Sequence, residues 1–191
     1  MDGRLTKQFI DIQNEMEDRE YIISTVTYYA AATVLKIKPA VLVSFSNNNR
    51  NLYRLWKEYK DEIVSFLEIK YFEIKDNNQC STVLLYNKEN LLKALLTVKN
   101  IEFLRYYGYE DNMDLEEFLE HLSSRFVKGC PHEIGIFLGI PIEDVKAFIM
   151  NNGADYKVAR YWKVYTDIKS AEDIFNKYDV AKAVVMETFI N

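Results

Sequence analysis

Two short β-prone runs, Ile69–Ile74 and Ser81–Tyr86, stand mid-chain among helical patterns, with only Lys75-Asp76-Asn77-Asn78-Gln79 between them. A polar, turn-prone link of that length joins strands antiparallel, because a parallel crossover needs about a dozen residues or more. Such a hairpin obliges the helices on either side to bury their apolar faces against a small sheet. Ahead of it, Tyr21–Lys36 carries Ile22, Ile23, Val26, Ala30 and Val34 at helical spacing until Pro39 stops the run. Ala40–Phe45 predicts a further strand, closed by Ser46-Asn47-Asn48-Asn49, and Leu52–Leu67 returns to helical period. Behind the hairpin the pattern predicts helices at Lys88–Thr97, Ile101–Tyr107 and Leu115–Val127, then short ones at Pro131–Leu138 and Ile142–Asn151. A strand at Tyr161–Tyr165 and a helix at Ala171–Phe189 complete the reading. The expected class is α+β, a small, mostly antiparallel sheet of about four strands covered by many helices.

The chain of 191 residues holds three prolines and six glycines and no linker-like stretch, so residues 1–191 are expected to form a single globular domain. Net charge is −5, from 24 basic and 29 acidic residues, which argues against nucleic acid as the main partner. Met1-Asp2-Gly3-Arg4 does not resemble a targeting segment. No apolar run reaches the roughly 18 residues of a membrane span. Two cysteines, Cys80 and Cys130, make neither a disulfide framework nor a metal motif, and a cytoplasmic setting fits. The 14 tyrosines, 11 phenylalanines and 2 tryptophans suit a core with wet edges or, alternatively, an aromatic-lined ligand site.

The densest signals lie between Cys130 and Thr166. Pro131 is placed for a first helical turn, Gly139 for a left-handed stop, and Pro141 for a second start with Glu143 and Asp144 near its positive end. The segment imitates a DNA-reading helix-turn-helix. Its second helix, however, offers Glu143 and Asp144 where Arg, Lys, Asn or Gln should meet base edges. A structural helix hairpin is the favoured reading.

Within it, His132 and Glu133 are the candidate catalytic pair. His132 would titrate or ligate, since its reference pKa of about 6.5 lies nearest neutrality. Glu133 would orient it or act as a base. Adjacent helical residues point about 100° apart, so the pair needs a helix that begins after His132. The competing reading makes His132 a structural, hydrogen-bonded residue. Cys130 near a helix start is a candidate nucleophile, although single cysteines are more often inert. No zinc-binding spacing is present, and no metal or cofactor is assigned.

Tyr161-Trp162-Lys163-Val164-Tyr165 alternates, which places Trp162 and Val164 toward the core and Tyr161, Lys163 and Tyr165 on the other face. With Arg160 beside them, those residues are the candidate holders of a small anionic or aromatic ligand. Ser46–Arg50, entering a helix, reads as a cap rather than an anion site, because it lacks the glycines of a phosphate loop.

These residues carry a resemblance. Pro131 to Gly139, Pro141, Glu143-Asp144-Val145, Phe148-Ile149, Asn152-Gly153 and Tyr161–Tyr165 resemble domain-of-unknown-function family 3793, as do Lys38-Pro39-Ala40 and Leu84-Leu85-Tyr86-Asn87. The resemblance covers nearly the whole chain and implies a bacterial protein of anaerobic Firmicutes. It supplies no activity, and at most a redox or iron-related setting. The family pattern has an aromatic where this chain has Ile140 and a glycine where it has Arg160. Neither a phenol at the turn nor close backbone approach before the last strand is therefore carried over. The expectation is a small-ligand or cofactor-binding domain, with a protein-interaction module built on the helix hairpin as the alternative.

Overall fold

The computed structural model describes residues 3–48 and 50–191, so the first two residues and Asn49 of the Ser46–Arg50 segment lie outside the described residues. Three strands, β1 (Ala40–Ser46), β2 (Lys70–Asp76) and β3 (Cys80–Tyr86), form one antiparallel sheet with β3 in the middle. Val83 pairs with both Val43 and Glu73, and a bulge interrupts β2 between Glu73 and Lys75.

Strand alternation divides the core into two layers. On one face Val43, Phe45, Ile69, Val83 and Leu85 pack against α2 (Asp18–Val34) and α3 (Leu52–Phe66), through Ile22, Val26, Leu55, Trp56 and Ile63. Phe45 stacks on Trp56 at 4.6 Å. Glu73 accepts from Trp56 Nε1 (3.3 Å), Lys57 (2.7 Å) and Lys60 (3.0 Å), so a carboxylate on a β2 edge is met by α3.

On the other face Ala40, Ile74 and Leu84 meet the helices α4 (Lys88–Leu95), α5 (Val98–Arg105), α6 (Leu115–Arg125), α7 (Ile134–Phe137) and α8 (Ile142–Met150). The sheet is thus covered on both sides, and its central strand is apolar on both faces for that reason. Ahead of α2, the helix α1 (Gly3–Glu15) seats Phe9 against Tyr28 and Phe189. The C-terminal α9 (Ile168–Ile190) lies against α2 through Ala31, Ala181 and Val185.

The α+β class holds, with two corrections. Tyr161–Tyr165 does not add a fourth strand to the sheet. Its middle forms β5 (Lys163–Val164), which pairs with β4 (Val158–Ala159) in a separate two-stranded ribbon. Both strands are short because residues 160–162 bend rather than extend, and this bend turns Tyr161 and Trp162 alike toward Phe175 of α9. The helix expected from Pro131 is also shorter, since Pro131–Glu133 form turns and α7 starts at Ile134.

The hairpin of α7 and α8 depends on two close approaches. A Cβ on Gly135 would stand 2.7 Å from Val145 Cγ2, so only glycine lets these helices meet. Gly139, at φ +73°, makes the turn, and a Cβ there would stand 2.6 Å from Pro39 Cδ. Gly139→Ala combines left-handed strain with a collision against a stiff ring, and should lower stability by about 2–4 kcal/mol in urea denaturation. A loss below about 0.5 kcal/mol would show that the Pro39 contact gives way freely. At the other candidate segment, Asn51 caps α3 by accepting from Arg54 N at 3.0 Å. Arg50 is spent on the carbonyls of Met16 and Asn14, in keeping with the capping reading.

Candidate functional site

The cavity that stands out is about 440 Å³ and lies between the α7–α8 hairpin and the β4–β5 ribbon. Ile134, Leu138, Ile140, Val145 and Phe148 give it an apolar wall on the hairpin side. Tyr161, Trp162 and Lys163 close the other side, and Cys130, Pro131 and His132 stand at its edge. An apolar pocket with a few polar groups at one end is the usual form of a small-molecule site.

Its polar end is organised around Phe148. The His132 ring meets Phe148 edge to face at 5.2 Å, and Lys163 Nζ lies 5.7 Å from the centroid of the same ring. His132 is exposed, so its imidazole is open to exchange with solvent or ligand. Lys163 is half-buried, donates to the Gly153 carbonyl at 2.7 Å and sits over Tyr156 at 4.8 Å. An ammonium has three protons, and the carbonyl takes one, so two remain for an anion.

The wall carrying Tyr161 to Lys163 is held by one side chain that the sequence reading placed on an exposed helix face. Asp144 is 2% exposed. Its Oδ2 accepts from Trp162 Nε1 at 2.8 Å, and its Oδ1 accepts from Tyr165 N, Thr166 N and Thr166 Oγ1 at 2.9–3.0 Å. Asp144 lies in the first turn of α8, where an acid suits the helix dipole, and that position made it look merely N-terminal. The signal available in sequence was the pairing of one such acid with a Trp and a Thr at the far end of the same segment. The neighbouring Glu143 pairs with Lys99 at 3.1 Å, and Lys146 lies over Phe103 at 5.6 Å. The charged residues of α8 are thus taken up by the fold rather than presented as a reading surface.

Three candidate residues sit elsewhere. Glu133 is not at the cavity and does not orient His132. It is 1% exposed and forms an ion pair with Arg125 through Oε1, because the turn before α7 aims the two neighbours in different directions. Its Oε2 has no hydrogen-bonding partner among the described residues, nor has the hydroxyl of Tyr109. Burial, reinforced by the Glu133 charge, pushes the Tyr109 phenol well up, so it stays protonated. Arg160 turns to α9 and pairs with Asp179 while lying over Phe175 at 5.2 Å. Tyr165 gives its backbone N–H to Asp144, and its side chain is not among the cavity-lining residues.

Tyr161 stays at the cavity with its hydroxyl committed to Asp179 at 2.7 Å, and burial followed by that bond raises its pKa. Cys130 is exposed as a residue, yet local desolvation and Glu133 push its thiol up, the reverse of an activated nucleophile. Among the described residues, no three His, Cys, Asp or Glu side chains converge so that they could hold a metal ion. None of the described helices is long and apolar enough to cross a membrane.

A family model described as "Protein of unknown function (DUF3793)" matches residues 26–191. That span takes in the second half of α2, every later element through α9, and every residue of the cavity. No curated protein and no solved structure matches the chain.

Proposed function

The chain belongs to the DUF3793 family, whose description names no activity, and from its own geometry we propose a domain that binds a small, largely apolar or aromatic molecule carrying one anionic group. The observation that carries this reading is the cavity itself, about 440 Å³ with apolar walls and a cation at one end. In this reading the apolar body of the ligand lies against Leu138, Ile140, Val145 and Phe148. Its anion takes the two free protons of Lys163, and His132 supplies a ring N–H donor beside it. A cytoplasmic, bacterial setting belongs to the same reading.

The test uses 1-naphthoate and its neutral counterpart 1-naphthalenemethanol as probes in isothermal titration calorimetry. Naphthoate should bind about tenfold or more tightly than the alcohol, because a charge-assisted hydrogen bond contributes about 1.5–3 kcal/mol. Lys163→Met should erase that preference and leave the alcohol unaffected. Leu138→Trp, which fills the apolar end, should weaken both. Equal binding of the two probes, or no binding of either, would sink the proposal.

A further inference from the structure

The C-terminal helix α9 is apolar on two sides. Its inner side is fixed in the fold, since Ala181, Val185 and Met186 are buried and the first two pack against Ala31 of α2. Its outer side carries Val180 and Val184, which are 62% and 47% exposed and stand about one helical turn apart. Helix formation does not call for valine at either place. A β-branched side chain loses rotamer freedom in a helix, and helix positions that face water are ordinarily polar.

The charges beside this pair are ordered. Lys177 stands three residues before Val180, and Glu187 three residues after Val184, and both are exposed. Spacings of three, four and three keep the four side chains on one narrow stripe, as in the seam along which two helices pack. From its N-terminal end the stripe reads basic, apolar, apolar, acidic. The exposed residues at its flanks, Asn176 and Thr188, carry no charge. Among the described residues neither Lys177 nor Glu187 has an ion-pair partner within the chain.

We infer that this stripe is a pairing surface and that its occupant is α9 of a second copy of the chain, laid antiparallel about a two-fold axis midway between Val180 and Val184. That axis sets Val180 against the partner subunit's Val184 and Lys177 against the partner subunit's Glu187, and by symmetry each contact occurs twice. The charge order that the stripe demands of a partner is the one it presents itself when reversed. A parallel arrangement would instead set lysine on lysine and glutamate on glutamate. Net charge on the whole chain is −5, so two copies repel unless the surfaces that meet are locally neutral, and the paired stripes balance two lysines with two glutamates. A contact of one helix per copy lies at the small end of protein interfaces, under about 1,200 Å² in total, so the pairing is weak and reversible. The valines form its apolar centre and the ion pairs its rim.

Sedimentation velocity of the full chain over about 5–500 µM tests this, a range that spans dissociation constants typical of weak association. The weight-average mass should rise toward that of a dimer at the upper end. Val184→Asp should weaken association about tenfold or more, since two-fold symmetry places the substitution in the contact twice. Lys177→Glu and Glu187→Lys should each weaken it as well, by opposing like charges. An equimolar mixture of these two variants should associate again, and so should the Lys177→Glu/Glu187→Lys double variant, because opposite charges then face each other once more. All the substituted positions are exposed, and circular dichroism checks that each variant keeps its fold. A chain that stays monomeric throughout, or a dimer indifferent to the valine and charge substitutions, overturns the inference. It is overturned equally if the mixed charge variants associate no better than either alone. The stripe shares no residue with the cavity, so pairing and naphthoate binding can each fail alone.

Discussion

Replacing Asp144 by alanine should destabilise the protein by about 3 kcal/mol or more, a fall of roughly 6–12 °C in Tm for a chain of this size. The substitution strips the acceptor from three N–H groups and a hydroxyl at once, those of Trp162, Tyr165 and Thr166. A buried donor left without an acceptor costs about 1–3 kcal/mol, and the indole of Trp162 is itself only 8% exposed. Asp144→Asn separates the two halves of the network. Its oxygen can still accept from Tyr165 and Thr166, but its amide would face the indole N–H, donor against donor. Asp144→Asn should therefore keep more of the stability while displacing Trp162 from the cavity wall. The indole N–H resonance of Trp162 and the naphthoate affinity would both register that movement. A Tm for Asp144→Ala within about 2 °C of the parent would mean that water replaces the carboxylate at little cost.

Arg125→Met should be of similar size, about 3–5 kcal/mol, because it leaves the 1% exposed Glu133 carboxylate with no counter-ion. The guanidinium also covers the Tyr107 ring at 5.1 Å, so part of the loss would be packing. The second substitution, Glu133→Gln, distinguishes these contributions. In an Arg125→Met/Glu133→Gln double variant the uncompensated charge is gone, and urea denaturation should recover about 1–3 kcal/mol relative to Arg125→Met alone. If the double variant is as unstable as the single one, the ion pair is not the source of the effect. Neither substitution touches a cavity-lining residue, so naphthoate binding at temperatures where the variants remain folded should be nearly unchanged.

Those two networks also show what the sequence could and could not convey. Periodicity located β1, β2, β3 and most helices to within a few residues, since apolar spacing is a local property. It overextended the last strand, because alternation in Tyr161–Tyr165 says nothing about whether a partner strand runs alongside. The actual partner, Val158–Ala159, is two residues long. The candidate region was readable from its prolines, glycines and aromatics, and His132, Tyr161 and Lys163 do share one cavity. Glu133, Arg160 and Tyr165 do not, since chain proximity says nothing about direction when turns intervene. Arg125 lies eight residues before Glu133, and Asp179 nineteen after Arg160. Asp144 was misjudged because a first-turn acid satisfies a local rule so well that no tertiary role needed to be invoked.

The bulge in β2 bears on a different hazard. Of the three strands that the described residues contribute to the sheet, two are edges, and an edge offers unpaired N–H and C=O groups to any other chain that arrives extended. Along β2 that template is interrupted where the register shifts between Glu73 and Lys75, and it is flanked by the exposed charges of Lys70, Lys75 and Asp76. An incoming strand would find neither a continuous ladder nor an apolar rail, so intermolecular pairing through β2, and with it the growth of aggregates from that side, is disfavoured by the strand's own irregularity.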